Sequence, residues 1–188
     1  MMNAGSDIAA GITIRPAVAG EAALLERLIA NSARQLGKAF YRDDETEAAI
    51  RHVFGVDSEL IADGTYFVAE VGGQIAGCGG WSMRRTLFGS DRFALRERGL
   101  LDPAVDAARI RAFFTAPGWE RRGIAKRLLQ TCEDAASGAG FMRMALMATL
   151  PGVPFYAAHG YAPDTPIDHL CGEVSVRFVP MTKELLQR

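Results

Sequence analysis

The run Met142-Arg143-Met144-Ala145-Leu146-Met147-Ala148-Thr149-Leu150 is apolar and lacks the every-other-residue alternation of a half-exposed strand. A strand of that kind needs cover on both faces, which predicts a sheet buried between helices. A second constraint lies upstream, where the β-rich runs Thr65–Val71 and Gln74–Ser82 flank Gly72-Gly73, the spacing of a two-residue hairpin. Gly77, Gly79 and Gly80 inside the second run mark a bulge or a close approach by another backbone or ligand.

The remaining patterns fit around this sheet. Ile12–Pro16 reads as a short strand, and Leu24, Leu25, Leu28 and Ile29 form the apolar stripe of a helix over Glu21–Ala33. Leu36–Arg42 reads as loop, followed by a helix over about Asp44–Phe54 that Gly55 closes. Residues 84–107 are an irregular, Arg-rich insertion, and Ala108–Thr115 is a strand broken by Pro117-Gly118. A helix from Arg122 puts Ile124, Leu128 and Leu129 on one face and ends at Ser137-Gly138. Pro154–His159 is a short helix and Glu173–Met181 a last strand. Strands and helices mix throughout without repeat or linker, which predicts one α/β (α+β) domain spanning 1–188.

Composition narrows the function classes. The 188 residues carry 21 Lys+Arg against 22 Asp+Glu, a net charge of −1, yet residues 84–127 alone are +6 and the rest −7. An acidic chain with one basic stretch suits a compact anionic ligand better than a nucleic acid, which needs a broad basic footprint. Cys78, Cys132 and Cys171 are far apart and odd in number, so no disulfide framework is expected. No spacing of His, Cys, Asp and Glu suggests a metal site. Met1–Gly11 has no basic start, and no apolar run reaches 18 residues. A cytoplasmic protein without membrane association is expected.

The chemistry concentrates in Phe113-Phe114-Thr115-Ala116-Pro117-Gly118-Trp119-Glu120-Arg121-Arg122-Gly123-Ile124-Ala125-Lys126. A strand ends, a turn follows, and a helix opens beneath two arginines. Cations there oppose the helix dipole at about 0.3–1 kcal/mol each, so an anion held on the free N–H groups is the natural complement. Gly123 and Ala125 leave the backbone open to a phosphate. The pattern is neither a Walker loop nor a dinucleotide fingerprint, and alone it fits a solvated charge run equally well. A second motif, Tyr156-Ala157-Ala158-His159-Gly160-Tyr161, follows one strand later.

Together these resemble the GNAT superfamily of N-acetyltransferases. Its strand, V-x-P and [QR]-x-x-G-x-[GA] motif is matched by Thr115-Ala116-Pro117 and Glu120-Arg121-Arg122-Gly123-Ile124-Ala125, and its Y-x-x-x-G-[FY] helix by Tyr156–Tyr161. The order of elements agrees from Ile12 to about Lys183. The resemblance implies a mixed, mostly antiparallel sheet of about six or seven strands flanked by about four helices. It implies acetyl-CoA as co-substrate, held by Phe113, Phe114, Thr115, Arg121, Arg122, Gly123, Ile124, Ala125, Lys126 and Thr149. A strand N–H near Thr115 would serve as oxyanion donor, and Tyr156 as general acid toward the departing thiolate. Tyr156 is alternatively a core aromatic beside Phe155. This sequence departs from the family pattern at Glu120, where the family has Gln or Arg, and at Thr149, where an asparagine is usual.

The expected reaction is acetyl transfer to the primary amine of a small molecule. A protein amine as acceptor, or a silent acyl-CoA sensor, are the alternatives, and a homodimer is compatible with each. Trp81, Arg84, Arg109 and Arg111 are the candidate acceptor-binding residues, Arg109 and Arg111 sharing one strand face. Guanidinium groups there would suit a carboxylate or phosphate, or else pair with surface acids such as Asp102 and Asp106. Tyr41 and Phe88 could add apolar walls. Neither Glu70 nor His159 is marked by its neighbours as a general base.

Overall fold

A computed structural model describes residues 11–93 and 95–185. The reading of Met1–Gly11 therefore falls, Gly11 apart, outside the described residues. In chain order the elements are β1 (Ile12–Pro16), α1 (Ala22–Leu36), α2 (Asp43–His52), α3 (Ser58–Ala62), β2 (Tyr66–Val71), β3 (Gln74–Ser82), β4 (Ala108–Thr115), α4 (Ile124–Gly138), β5 (Arg143–Thr149), α5 (Val153–Ala158), β6 (Ala162–Pro163), β7 (Ile167–Cys171) and β8 (Val174–Glu184).

The sheet runs β1-β2-β3-β4-β5-β8-β6, with β7 also on β8. Every neighbouring pair is antiparallel except β4 and β5. Among the described residues it thus has eight strands, one more than the upper expectation. The additions are the two-residue β6 and the hairpin strand β7, too short or too exposed to show an apolar pattern. The helices number five among the described residues. The unforeseen one is α3, a single turn capped by the Asp57 side chain accepting from Glu59 N–H at 3.2 Å. Leu36, expected in a loop, closes α1 instead, and β8 runs on to Glu184.

Three layers result. On one face α1 and α2 bury Leu25, Ile29, Ala49 and Val53 against Val68, Cys78, Val176 and Phe178. On the other, α4 buries Leu129, Cys132 and Ala136 against Ile110, Met144, Leu146 and Met181. The unalternating run in β5 is explained: both its faces are covered.

Two features of β4 position the site. Past Cys78–Phe114, β3 advances two residues while β4 advances three, reaching Gly80–Arg111. The surplus is a β-bulge at Ala112, which takes φ = +49°. Gly79 lies opposite because a Cβ there would fall 2.2 Å from the Phe113 ring. In addition, β4 and β5 pair only from Ala108–Met144 to Ile110–Leu146. Beyond that they diverge, leaving the β5-facing edge of β4 without a strand partner among the described residues. The bulge is held from below by Tyr66, fully buried, whose hydroxyl donates to Ala112 O at 3.0 Å. Tyr66→Phe is expected to cost about 1–3 kcal/mol, the usual consequence of an unsatisfied buried carbonyl, as a lower urea midpoint at unchanged m. An unchanged midpoint would show that the bulge needs no such support.

Candidate active site in the opening between two parallel strands

A cleft of about 840 Å³ occupies the opening between β4 and β5. Its walls include Arg111 to Thr115 from β4, the loop Trp119–Arg121, the first residues of α4, Thr149, and α5 with Tyr156 and His159. The two non-glycine residues with positive φ among those described, Ala112 and Arg121 at +60°, both stand in this wall. Such conformations cost about 1–3 kcal/mol each and gather at functional sites.

At one end lies the start of α4. Gly118, Arg121 and Gly123 all adopt left-handed conformations, and Gly123 forms the N-cap at φ = +86°. Among the described residues no side chain caps this helix and no acid occupies its first turn, which leaves its first N–H groups without a side-chain acceptor and its dipole unopposed. Arg121 and Lys126 line the cleft, and the Arg122 guanidinium sits over the Trp119 ring at 5.2 Å. Glu120 folds back on the loop, its carboxylate oxygens accepting from Gly118 N–H at 3.0 Å each. The residue that departs from the sequence motif thus braces the loop.

Next comes the aromatic wall. Tyr156 packs against Phe113, Phe155 and Tyr161 with ring centroids 6.1, 5.1 and 5.6 Å away, and burial pushes its phenol well above the ordinary value. His159 leans on Phe155 with ring centroids 4.5 Å apart, its Nδ1 2.8 Å from the Phe155 carbonyl oxygen. Across the cleft, the Tyr41 hydroxyl accepts from Leu150 N–H at 2.8 Å and donates to Arg177 O at 2.7 Å, tying the α1–α2 loop to the ends of β5 and β8.

The structure brings together Phe113, Phe114, Thr115, Arg121, Gly123, Ile124, Ala125, Lys126, Thr149, Tyr156 and Arg111 in one wall. The other sequence candidates lie elsewhere. Trp81 is buried on the α4 side, edge-on to Phe141 at 6.1 Å. Arg84 makes a double ion pair with Asp63, both contacts 2.7 Å. Arg109 belongs to the part of β4 still paired with β5, behind the apex of the opening, and burial lowers its guanidinium pKa. Glu70 pairs with Arg15 at 3.0 Å, outside this cleft. Tyr41 and Phe88 do line it, joined by Phe54 and Phe178, which sequence reading missed. Nothing local in the sequence marks those two, since each looks like an ordinary core residue.

Among the described residues, no group of three or more His, Cys, Asp or Glu side chains is placed to hold a metal ion. No helix among them is long and apolar enough to cross a membrane.

Comparison with known proteins agrees with this geometry. A family model described as the acetyltransferase (GNAT) family matches residues 27–161. No curated protein matches the sequence significantly. Among solved structures, a GCN5-related N-acetyltransferase from Rhodopseudomonas palustris is similar at TM-score 0.68 and 19% identity, over 92% of this chain and 95% of that one. PaiA N-acetyltransferase from Thermoplasma acidophilum, solved with coenzyme A, is similar at TM-score 0.63 and 16% identity, over 93% and 99%. YncA from Salmonella typhimurium, solved with acetyl-CoA, gives TM-score 0.61 and 13% identity over 94% and 95%.

Proposed function

This chain belongs to the acetyltransferase (GNAT) family, and from that premise we propose that it transfers an acetyl group from acetyl-CoA to the primary amine of a small molecule. The observation that carries the reading is the coincidence, in one cleft, of an uncapped helix N-terminus, an unpaired strand edge and a buried tyrosine. The residues fit the co-substrate. The N–H groups of the Arg121–Ala125 turn, with Arg121, Arg122 and Lys126 around them, suit a pyrophosphate. The free edge of β4 at Phe113–Thr115 suits an amide-bearing arm laid alongside like another strand. When bound, acetyl-CoA supplies the activated acetyl group.

The chain's own part is placement and proton handling. A C–N bond forms as the C–S bond breaks, and one proton passes from the amine to the leaving sulfur. A β4 N–H near Thr115 serves as the oxyanion donor, an interaction typically worth 10²–10³ in rate. Tyr156 supplies the proton to sulfur. Its raised pKa keeps the phenol protonated through neutral pH, as an acid must be.

Titration calorimetry with acetyl-CoA tests the binding half. Stoichiometric binding in the micromolar range is expected, weaker for dephospho-CoA and ATP. No binding up to about millimolar, from chain shown to be folded, would refute the reading. Release of free CoA thiol with an added amine then separates an enzyme from a silent binder.

A further inference from the structure

The end of the cleft away from α4 has a chemistry of its own. It is walled by rings: Phe54 stands edge-on to Phe114 at 5.4 Å and to Phe178 at 6.1 Å, and Phe88 leans on Phe178 at 5.7 Å. Among the described residues, Glu120 is the single acid in the whole cleft wall, and it is engaged with Gly118 at the opposite end. The charged residue at the ring-lined end is Arg111, whose side chain is fully buried. Its Nη2 donates to Gly89 O at 3.0 Å and contacts Asp57, while Nε and Nη1 have no hydrogen-bond partner among the described residues.

We propose that the acceptor is a compact apolar amine that also carries an acid, of the type of an apolar or aromatic α-amino acid, with its body against Phe54, Phe114 and Phe178 and its carboxylate at Arg111. Three independent features point this way. The rings reward apolar surface and offer nothing to a polar chain. The Arg111 guanidinium, although paired with Asp57, keeps two unmade donors that an anion entering this end of the cleft would satisfy. A polyamine or lysine-like chain would bring a second cation to a wall with no acid to receive it.

This inference deepens the acetyltransferase reading and rests on it.

The test uses the full chain with acetyl-CoA at saturation and reads thiol release. Phenylalanine, leucine and methionine are compared with phenethylamine, which lacks the carboxylate, and with spermidine and a lysine peptide. The expected result is a kcat/KM at least tenfold higher for an amino acid than for its decarboxylated partner, with spermidine and the lysine peptide inactive. Arg111→Lys, which keeps the charge beside Asp57 but removes the guanidinium fork, should raise KM for the amino acid about tenfold or more and so erase its advantage over phenethylamine. If that variant fails to fold, the comparison of acceptors on the unaltered chain still decides. Equal rates with and without the carboxylate, a preference for spermidine or lysine, or no turnover of any apolar amino acid would overturn the proposal. Failure to bind acetyl-CoA at all would remove the underlying reading instead, and calorimetry tells the two apart.

Discussion

Gly123→Val is expected to weaken acetyl-CoA binding at least a hundredfold while lowering Tm by only a few degrees. Gly123 is the N-cap of α4 at φ = +86°, a conformation that a β-branched residue adopts only as an outlier. Space is not the obstacle, since an added Cβ meets nothing nearer than Ile12 at 4.0 Å. The strain of the left-handed state is about 1–2 kcal/mol. In a chain of this size that shifts Tm by roughly 2–4 °C per kcal/mol. The alternative, a return to negative φ, swings the peptide and turns the first N–H groups of the helix out of convergence. A hundredfold loss corresponds to about 2.7 kcal/mol, a reasonable value for the loss of a phosphate cradle built from several N–H groups. Gly138→Ala, at the other end of the same helix with open space around it and no positive φ, serves as control and should bind normally. Wild-type affinity in Gly123→Val would mean that the anion sits elsewhere.

Tyr156→Phe should lower kcat about a hundredfold at pH 7 and change acetyl-CoA affinity by less than about threefold, since general acids contribute roughly 10²–10⁴ in rate. The low end applies here. A phenol near 10 protonating a thiolate near 8.5 is uphill by about 2 kcal/mol, and burial of Tyr156 widens that gap. The acid is therefore useful in the transition state without being indispensable to a thiolate, already a tolerable leaving group. The pH dependence gives the sign. A phenol with raised pKa stays protonated as pH climbs to 9, so wild-type activity should show no alkaline loss from this group. The thiolate itself becomes stable unprotonated above about pH 8.5, so the gap between wild type and variant should narrow there. A constant gap across pH 6.5–9 would point to packing against Phe113 and Phe155 as the role of Tyr156. An unchanged kcat would remove Tyr156 as the acid.

Much of this site was legible because its parts are local. The turn before α4 depends on Gly118, Gly123 and Ala125 lying a few residues apart, and the tyrosine helix on Tyr156 and Gly160 within a single turn and its exit. Spacing along the chain is then spacing in the protein. Glu120 shows where locality stops helping: its residue type marked a departure, but only coordinates reveal that its carboxylate bonds back to Gly118 N–H. The acceptor side was harder still. Arg109 and Arg111 share a strand face as their spacing requires, yet only Arg111 lines the cleft, because β4 and β5 separate after Ile110. Phe54, Phe114 and Phe178 come from α2's exit, β4 and β8, and no sequence window contains all three.

The layered sheet, the hairpin at Gly72-Gly73, the helix with the cationic start and the family are all written in short stretches of sequence. These follow from periodicity, glycine conformations and short motifs, which act over one or two turns of chain. Tertiary structure alone decided where the parallel pair opens, which arginine faces the opening and which rings wall it. Those depend on one extra residue in β4 against β3, on a left-handed Ala112 held by Tyr66 from a distant strand, and on contacts between segments more than a hundred residues apart. Such long-range pairings are chosen by the packing of the whole core, which no local pattern encodes.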